Sequence, residues 1–414
     1  MPTIELDVPS IRSQFPFYDA GPAALTPVYL DSAATAQRPL VVAEAVQRSM
    51  TVWNANVHRA TYRLAARATE AYEGARATVA RFVGAATDEV VFTKNATEAF
   101  NLLARCIPGA DASWRLRAGD SVVLTEMEHA SNVIPWRMAA AAVGAQVRYL
   151  PITGGGLLDL TRLTELVDRT TRVVAVAHAS NMLGTLNDLG PLVERAHEVG
   201  AVVVVDASQT VPHIPVSVTA LGADFLVFTG HKMCGPTGVG VLWGRAEALG
   251  ALPPFLGGGD MVDDLTVDAM VAAAPPRRFE AGTPAMAEVV GLAAAADFLT
   301  GIGMDRIRRH DQELCAHALG RLLADPRIRV IGPTDPHRRG SVVAFTVKGC
   351  DPAALARYLD ERGIAVRAGQ HCAQLACSRL NISASVRLST YLYNTADEVD
   401  QLVDTVTHAL EEFS

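Results

Sequence analysis

The chain has 414 residues, half of them apolar and 19% charged, an ordinary balance for a soluble globular protein with more than one domain. Acidic residues outnumber basic ones 44 to 36, and a net charge of −8 argues against non-specific nucleic-acid binding, which needs a basic face. No run approaches 18 unbroken apolar residues, so no membrane span is expected.

The N-terminus, "MPTIELDVPSIRSQF", has neither a basic start with an apolar run nor an Arg-rich transit pattern. The six cysteines are scattered and read as reduced thiols, which makes the cytoplasm the expected compartment. From residue 89 onward, short β-rich runs alternate with helical patterns. The runs are "EVVFT" (89–93), "SVVLT" (121–125), "QVRYL" (146–150), "RVVAVAH" (172–178), "AVVVVDA" (201–207), "DFLVFT" (224–229) and "VGVLWG" (239–244). Continuous Val/Ile/Leu runs are the mark of strands buried on both faces. Helical segments such as 96–106 and 190–199 separate most of them, which predicts a mostly parallel seven-stranded sheet covered by helices. Near 275–284 the texture turns rich in Pro, Gly and Ala. Two helices follow, near 285–300 and 305–324, and then a strand "SVVAFTV", a helix, a short strand "IAVR", a loop, the strand "SVRLS" and a last helix from Ala396. This pattern predicts a large α/β domain over 25–284 and a smaller α+β domain built from 1–24 and 285–414.

Ligands in such sheets collect beyond the carboxyl ends of the strands. After "VVFT" come Asn95, Ala96, Thr97 and Glu98. Asn95 and Glu98 have the spacing of a reciprocal helix cap, and a helix start also suits a phosphate. The next strand ends lead to His129, to Asn181, to Asp206 with Gln209, and to Thr229, His231 and Lys232. Each signal is weak alone, but together they place a lysine, an acid, a histidine and phosphate-binding groups on one sheet edge. That set fits pyridoxal phosphate. A lysine must hold the cofactor covalently, an acid must keep its pyridine nitrogen protonated, and helix-terminal amides and hydroxyls must hold its phosphate. A desolvated lysine also loses its proton more readily.

The wording of these segments carries a resemblance. "YLDSAATAQRP", "NANVHRATYRLAARATEAYEGAR", "EMEHASNVIPW", "VDASQTVPHIPV", "DFLVFTGHKMCGPTGVGVLWG", "FLGGGDMV" and "RFEAGTP" resemble the class V aminotransferase family, and within it the SufS-type cysteine desulfurases and selenocysteine lyases. The likeness spans nearly the whole chain. It implies the type I pyridoxal phosphate transferase fold and roles for individual residues. Lys232 would carry the cofactor and remove the substrate Cα proton. Asp206 would pair with the pyridinium, and His129 would stack on the ring and take part in proton transfer. Asn181 and Gln209 would approach its phenolic oxygen. Ala96, Thr97, Thr229 and His231 would hold the phosphate. Thr283, in "EAGTP", would reach the phosphate of a second subunit, implying a homodimer with shared active sites. Arg387 would clamp the substrate carboxylate, while Ala33, Asn181, His58 and Arg59 would line the substrate pocket.

Cys372 follows "IAVR" in a loop marked by Gly369. His371 and Arg367 are close to it in sequence, and positive neighbours favour a thiolate. The loop "RAGQHCAQL" resembles the one that carries the persulfide-forming cysteine of the family. The resemblance therefore implies an enzyme that turns L-cysteine into alanine, with the sulfur passing from Cys372 to a protein acceptor. Cys377 and His371 alone do not make a zinc site, so no metal is expected. Five positions depart from the family's usual wording: Gln370 and Leu375 beside the cysteine, with Ala130, Ala285 and Leu388 elsewhere. They bear on the acceptor and the substrate rather than on the cofactor. Iron–sulfur cluster assembly is the first reading and a specialised sulfur pathway the second. A cysteine, cystine or selenocysteine lyase that needs no persulfide, and a non-catalytic scaffold, are the alternatives.

Overall fold

The computed structural model describes residues 6–19 and 27–412. Seven strands form one sheet: β1 (Val90–Thr93), β2 (Ser121–Thr125), β3 (Gln146–Leu150), β4 (Thr171–Ala177), β5 (Val202–Asp206), β6 (Phe225–Thr229) and β7 (Gly240–Gly244). Their order across the sheet is β1-β7-β6-β5-β4-β2-β3. All neighbours are parallel except that β7 runs against both β1 and β6. Two reversals restore direction, so β1 points the same way as β2 to β6. The carboxyl ends of these strands therefore share one edge.

Strand periodicity explains why the apolar runs are continuous. Along β5, Val203 and Val205 enter one core cluster while Val202 and Val204 enter another. The same split separates Leu226 and Phe228 from Phe225 and Val227 on β6. Each face of the sheet thus needs its own apolar set, and both are covered by helices.

On the first face lie α1 (Leu40–Val52), α2 (Arg63–Val83) and, packed against both, α6 (Met286–Ile302). The helices between are α3 (Ala96–Cys106), α4 (Ile134–Val143) and α5 (Gly190–Glu198), and α7 (Met304–Leu323) follows α6. The α2 core residues Ala65, Ala68, Tyr72, Ala75, Val79 and Val83 recur at helical spacing, and Gly84 ends the helix in the left-handed region at φ 71°. Because Val289, Leu292 and Leu299 of α6 join this core, the packing of the large sheet continues past residue 284.

A second sheet has four antiparallel strands: β8 (Ile328–Ile331), β9 (Val342–Val347), β10 (Arg367–Gly369) and β11 (Ser385–Ser389), in the order β8-β9-β11-β10. It packs with α7, α8 (Pro352–Asp360) and α9 (Ala396–Glu412). The segment Val28–Tyr29 pairs with Ile364–Ala365, and Asp31 bridges Ser389, so the N-terminal segment is stitched to this sheet. Among the described residues no single helix is long and apolar enough to cross a membrane.

Candidate active site

A cavity of about 300 Å³ opens where the carboxyl edge of the large sheet meets β10 and β11. Its lining includes Ala33, Ala96, Thr97, His129, Asn181 and Asp206. Gln209, Thr229, His231, Lys232, Cys372 and Arg387 complete the residues expected from sequence that reach it. His58, Arg59 and Thr283 are not among the lining residues. His58 Nε2 pairs with Glu73 at 2.8 Å, and Arg59 Nε pairs with Asp260 at 2.5 Å. The structure therefore does not bring those two side chains to the pocket of their own chain. Thr283 is exposed.

Strand β6 delivers Lys232. After Thr229 the chain makes one short helical turn, and the Gly235 amide returns to the Gly230 carbonyl at 3.0 Å. The N-terminal loop closes over this turn, with Ala36 N and Thr35 Oγ1 donating to the His231 carbonyl at 2.9 and 3.1 Å. Gln209 Nε2 donates to the Ala33 carbonyl at 2.8 Å and holds the same loop. Removal from water pulls the Lys232 ammonium down to about 8, with Arg387 adding to the effect and Asp206 opposing it. A free amine is thus much closer to hand at neutral pH than on an ordinary lysine.

Asp206 ends β5, and its Oδ1 accepts from Ser208 N at 2.9 Å. His129 Nδ1 accepts from Ser131 N at 3.1 Å, which leaves the ring proton on Nε2. Burial first, and then the Lys232 charge, lower the His129 pKa. His231 is likewise pulled down to about 4, chiefly by burial, so it faces the cavity as a neutral ring.

The N-terminus of α3 opens onto the cavity through Asn95, Ala96 and Thr97. Asn95 Oδ1 caps it by accepting from Glu98 N at 2.9 Å, but the Glu98 carboxylate reaches back to Lys94 N rather than Asn95 N. The cap is therefore real while the expected reciprocal box is displaced by one residue. Thr97 Oγ1 shares a 2.8 Å hydrogen bond with Ser131 Oγ. Thr229 Oγ1 is buried, beside the cavity, and has no hydrogen-bond partner among the described residues. A buried hydroxyl without a partner, at the end of β6 and on the same cavity as the α3 start, is a feature a bound phosphate would satisfy.

This end depends on Gly240, because a Cβ there would lie 2.5 Å from the Asn95 carbonyl carbon. Gly240→Ala is expected to cost about 1–3 kcal/mol and to displace the α3 start. Urea unfolding and phosphate binding to the cofactor-free protein check this, and two unchanged values would contradict it.

Cys372 is exposed and sits in a loop where His371 and Cys372 both have positive φ, 53° and 56°. Two bonds hold this backbone in place. Ala130 N donates to the Cys372 carbonyl at 2.8 Å, and Asn181 Nδ2 donates to the His371 carbonyl at 2.6 Å. Asn181 thus serves the cysteine loop in this structure. The sequence expectation that His371 acts as a cation beside the thiol is corrected. His371 is buried against Ser385 Oγ at 2.9 Å, and burial pulls it down to about 3. A ring neutral at pH 7 cannot act as that cation. Arg367 and Arg387 are the charged neighbours instead.

Of the five atypical positions, Leu375 and Leu388 are packing residues and the other three are not. Gln370 is exposed. Leu375 lies against the second core of the large sheet, and Leu388 is fully buried in the core of the small one. Ala130 acts through its backbone amide. Ala285 precedes α6 and offers it no side-chain cap.

Two functional candidates escaped the sequence reading. Asp31 joins Arg367 and Arg387, and its only sequence signal was a charge inside "YLDSAAT". Glu128, next to His129, is buried and accepts from Thr125 Oγ1 at 2.5 Å, Ala177 N at 2.9 Å and Asn132 Nδ2 at 2.7 Å. Ala177 is the register partner of Asp206, so Glu128 ties the His129 loop to the strand beside that acid. Burial pushes the Glu128 carboxyl up to about 8. Among the described residues, no group of three His, Cys, Asp or Glu side chains is placed to hold a metal ion.

Three histidines partly or wholly withdrawn from water give the fold an acid-sensitive side. His178 and His231 are lowered to about 4 and His371 to about 3, each mainly by burial. An unfolded histidine titrates near ~6.5, so between those values the unfolded chain binds more protons. Stability is then full above about pH 6.5 and declines as pH falls toward about 4. The urea midpoint is expected to drop between pH 7 and pH 5, and by less in His178→Gln. A flat midpoint would argue against neutral rings at these three positions.

Known proteins resemble this chain along its whole length. A Streptomyces coelicolor protein named "Probable cysteine desulfurase" is 48% identical, covering 97% of this chain and 97% of its own length. The Haloferax volcanii "Cysteine desulfurase" is 42% identical, covering 99% and 98%. The apo structure of a cysteine desulfurase from Thermococcus onnurineus NA1 superposes with a TM-score of 0.93 at 35% identity, covering 100% of both chains. Aminotransferase class-V matches residues 28–402, and with full-length relatives above 40% identity the chain belongs to the class V aminotransferase family.

Proposed function

We propose that the chain is a pyridoxal-phosphate-dependent cysteine desulfurase that converts L-cysteine to L-alanine and carries the sulfur as a persulfide on Cys372. The observation that carries this reading is a single cavity shared by the exposed Cys372 thiol, a lysine with a depressed pKa, and a buried arginine. The family and its curated relatives support the same activity.

The residues fit the cofactor. The α3 start with Thr97, the unpartnered Thr229 hydroxyl and neutral His231 would hold the phosphate. Asp206 would face the ring nitrogen and His129 the ring, with Asn181 and Gln209 near the phenolic oxygen and Lys232 as the covalent attachment. When bound, the cofactor supplies a covalent link to the substrate amine and an electron sink.

The chain's own groups do the rest. Arg387 binds the substrate carboxylate. Lys232, eased toward the free amine by its loss of water, takes the Cα proton. The neutral His129 ring offers its Nε2 proton to the cavity. Cys372 Sγ attacks the substrate sulfur as the Cβ–S bond breaks. The bonding pair stays with Cβ, which ends protonated as the methyl group of alanine. One sulfur atom moves from substrate to Cys372, and the exchange needs no external oxidant.

A thiol acceptor, a protein in this reading, then takes the sulfur for iron–sulfur cluster assembly or a specialised pathway. Two chains form the working unit, with Thr283 of each serving the other. Support for pairing comes from the exposed apolar side chains Leu265, Val267, Met270 and Val271 on one hairpin. Six unpaired cysteines support a cytoplasmic setting.

Incubation of the yellow protein with L-cysteine tests the activity. Alanine formed in step with protein-bound sulfane sulfur is the expected result. Pyruvate and ammonia instead would transfer the chain to the lyases.

A further inference from the structure

Arg367 and Arg387 stand directly opposite each other on the antiparallel pair β10 and β11, and both line the cavity. Like charges in that relation repel. Asp31 lies between them, placed by its parallel bridge to Ser389. Its Oδ1 accepts from Arg387 Nη2 at 2.9 Å and from Arg367 Nε at 3.2 Å, and its Oδ2 accepts from Arg367 Nη2 at 2.9 Å. Two guanidiniums and one carboxylate leave a single uncompensated positive charge.

Arg387 is also not an open fork. Its Nη1 donates to the Asn181 carbonyl at 2.9 Å, and its Nη2 is on Asp31. Its Nε is buried and has no partner among the described residues. A buried guanidinium donor left unpaired is costly, and an incoming carboxylate would complete it. That carboxylate would take Nε and share Nη2 with Asp31.

We propose that Asp31 is a specificity-determining residue that matches the pocket to amino acids bearing one carboxylate and rejects those bearing two. The inference rests on the desulfurase reading, in which the substrate is a monocarboxylic amino acid. The first carboxylate consumes the one spare positive charge. A second carboxylate finds Arg367 already held side-on and meets the negative Asp31. In a pocket partly stripped of water that repulsion is felt more strongly than in bulk. Asp31 also fixes the orientation of Arg387, so one carboxylate both aims the clamp and limits what it accepts.

The test uses cofactor-loaded wild type and Asp31→Asn, with equilibrium binding of L-alanine and L-aspartate measured by calorimetry. In D31N the affinity for L-aspartate relative to L-alanine is expected to rise by about tenfold or more, the scale of one nearby charge. An unchanged ratio overturns the proposal. If D31N does not fold, Arg367→Gln asks the same question from the other side. Removing that positive charge should weaken L-aspartate binding more than L-alanine binding, and equal weakening overturns the proposal. Alanine production from L-cysteine by the wild type is followed in parallel. Its absence would defeat the desulfurase reading, whereas its presence with an unchanged ratio defeats only the role of Asp31.

Discussion

Lys232→Met is expected to make the cofactor-free chain more stable and the loaded enzyme inert. Burial lowers the Lys232 pKa to about 8, below the ~10.4 of a free lysine. The folded state therefore binds fewer protons than the unfolded state between those values. Below about pH 8 the lysine carries its full destabilising penalty, and above about 10.4 the penalty vanishes. Replacing it with an apolar side chain of similar length should add a few kcal/mol at pH 7, with the gain fading as pH rises past 10. Urea unfolding at pH 7 and pH 10.5 reads this directly. Activity should move the other way. The variant lacks both the covalent attachment point and the base for the Cα proton, and a loss of at least about 10³-fold in alanine formation is expected. Equal stability at pH 7 would mean that Lys232 carries no burial penalty, and retained turnover would mean that it is not catalytic.

Cys372→Ser is expected to separate binding from sulfur transfer. The Cys372 side chain is exposed and its loop is held through backbone carbonyls, by Ala130 N and Asn181 Nδ2. Serine keeps both bonds and the loop geometry, so the fold and L-cysteine binding should survive. What it removes is the sulfur nucleophile. Alanine formation without an added reductant should fall on the order of 10³-fold, the scale on which a missing reacting group is felt. Full alanine production by this variant would show that the C–S bond breaks without a persulfide on Cys372.

The large sheet was legible because its chemistry is local. Val202–Val205 alternate between the two faces of the sheet, and because both faces are buried the run has to be apolar without a break, as the sequence displays. Strand ends in a parallel sheet share an edge, so Asp206 and Lys232 could be brought together before any coordinates. The small sheet was harder. Strand β8 (Ile328–Ile331) carries Arg329 between apolar residues and went unread, and "IAVR" divides between a pairing with Val28–Tyr29 and the start of β10.

Charges that act across the fold were least legible. Asp31 lies 336 residues from Arg367 in sequence and is joined to it by two chain segments that meet only after folding. Spacing cannot reveal that contact. His371 misled for a related reason, since adjacency to Cys372 in sequence says nothing about the burial that keeps its ring neutral.

One measurement bears on the central claim above all others. The wild-type protein is given L-cysteine, its thiols are blocked, and the peptide containing Cys372 is weighed. A gain of one sulfur atom on Cys372, lost on treatment with a reductant and formed in step with alanine, is the predicted result. Alanine or pyruvate released while Cys372 keeps its original mass would contradict it.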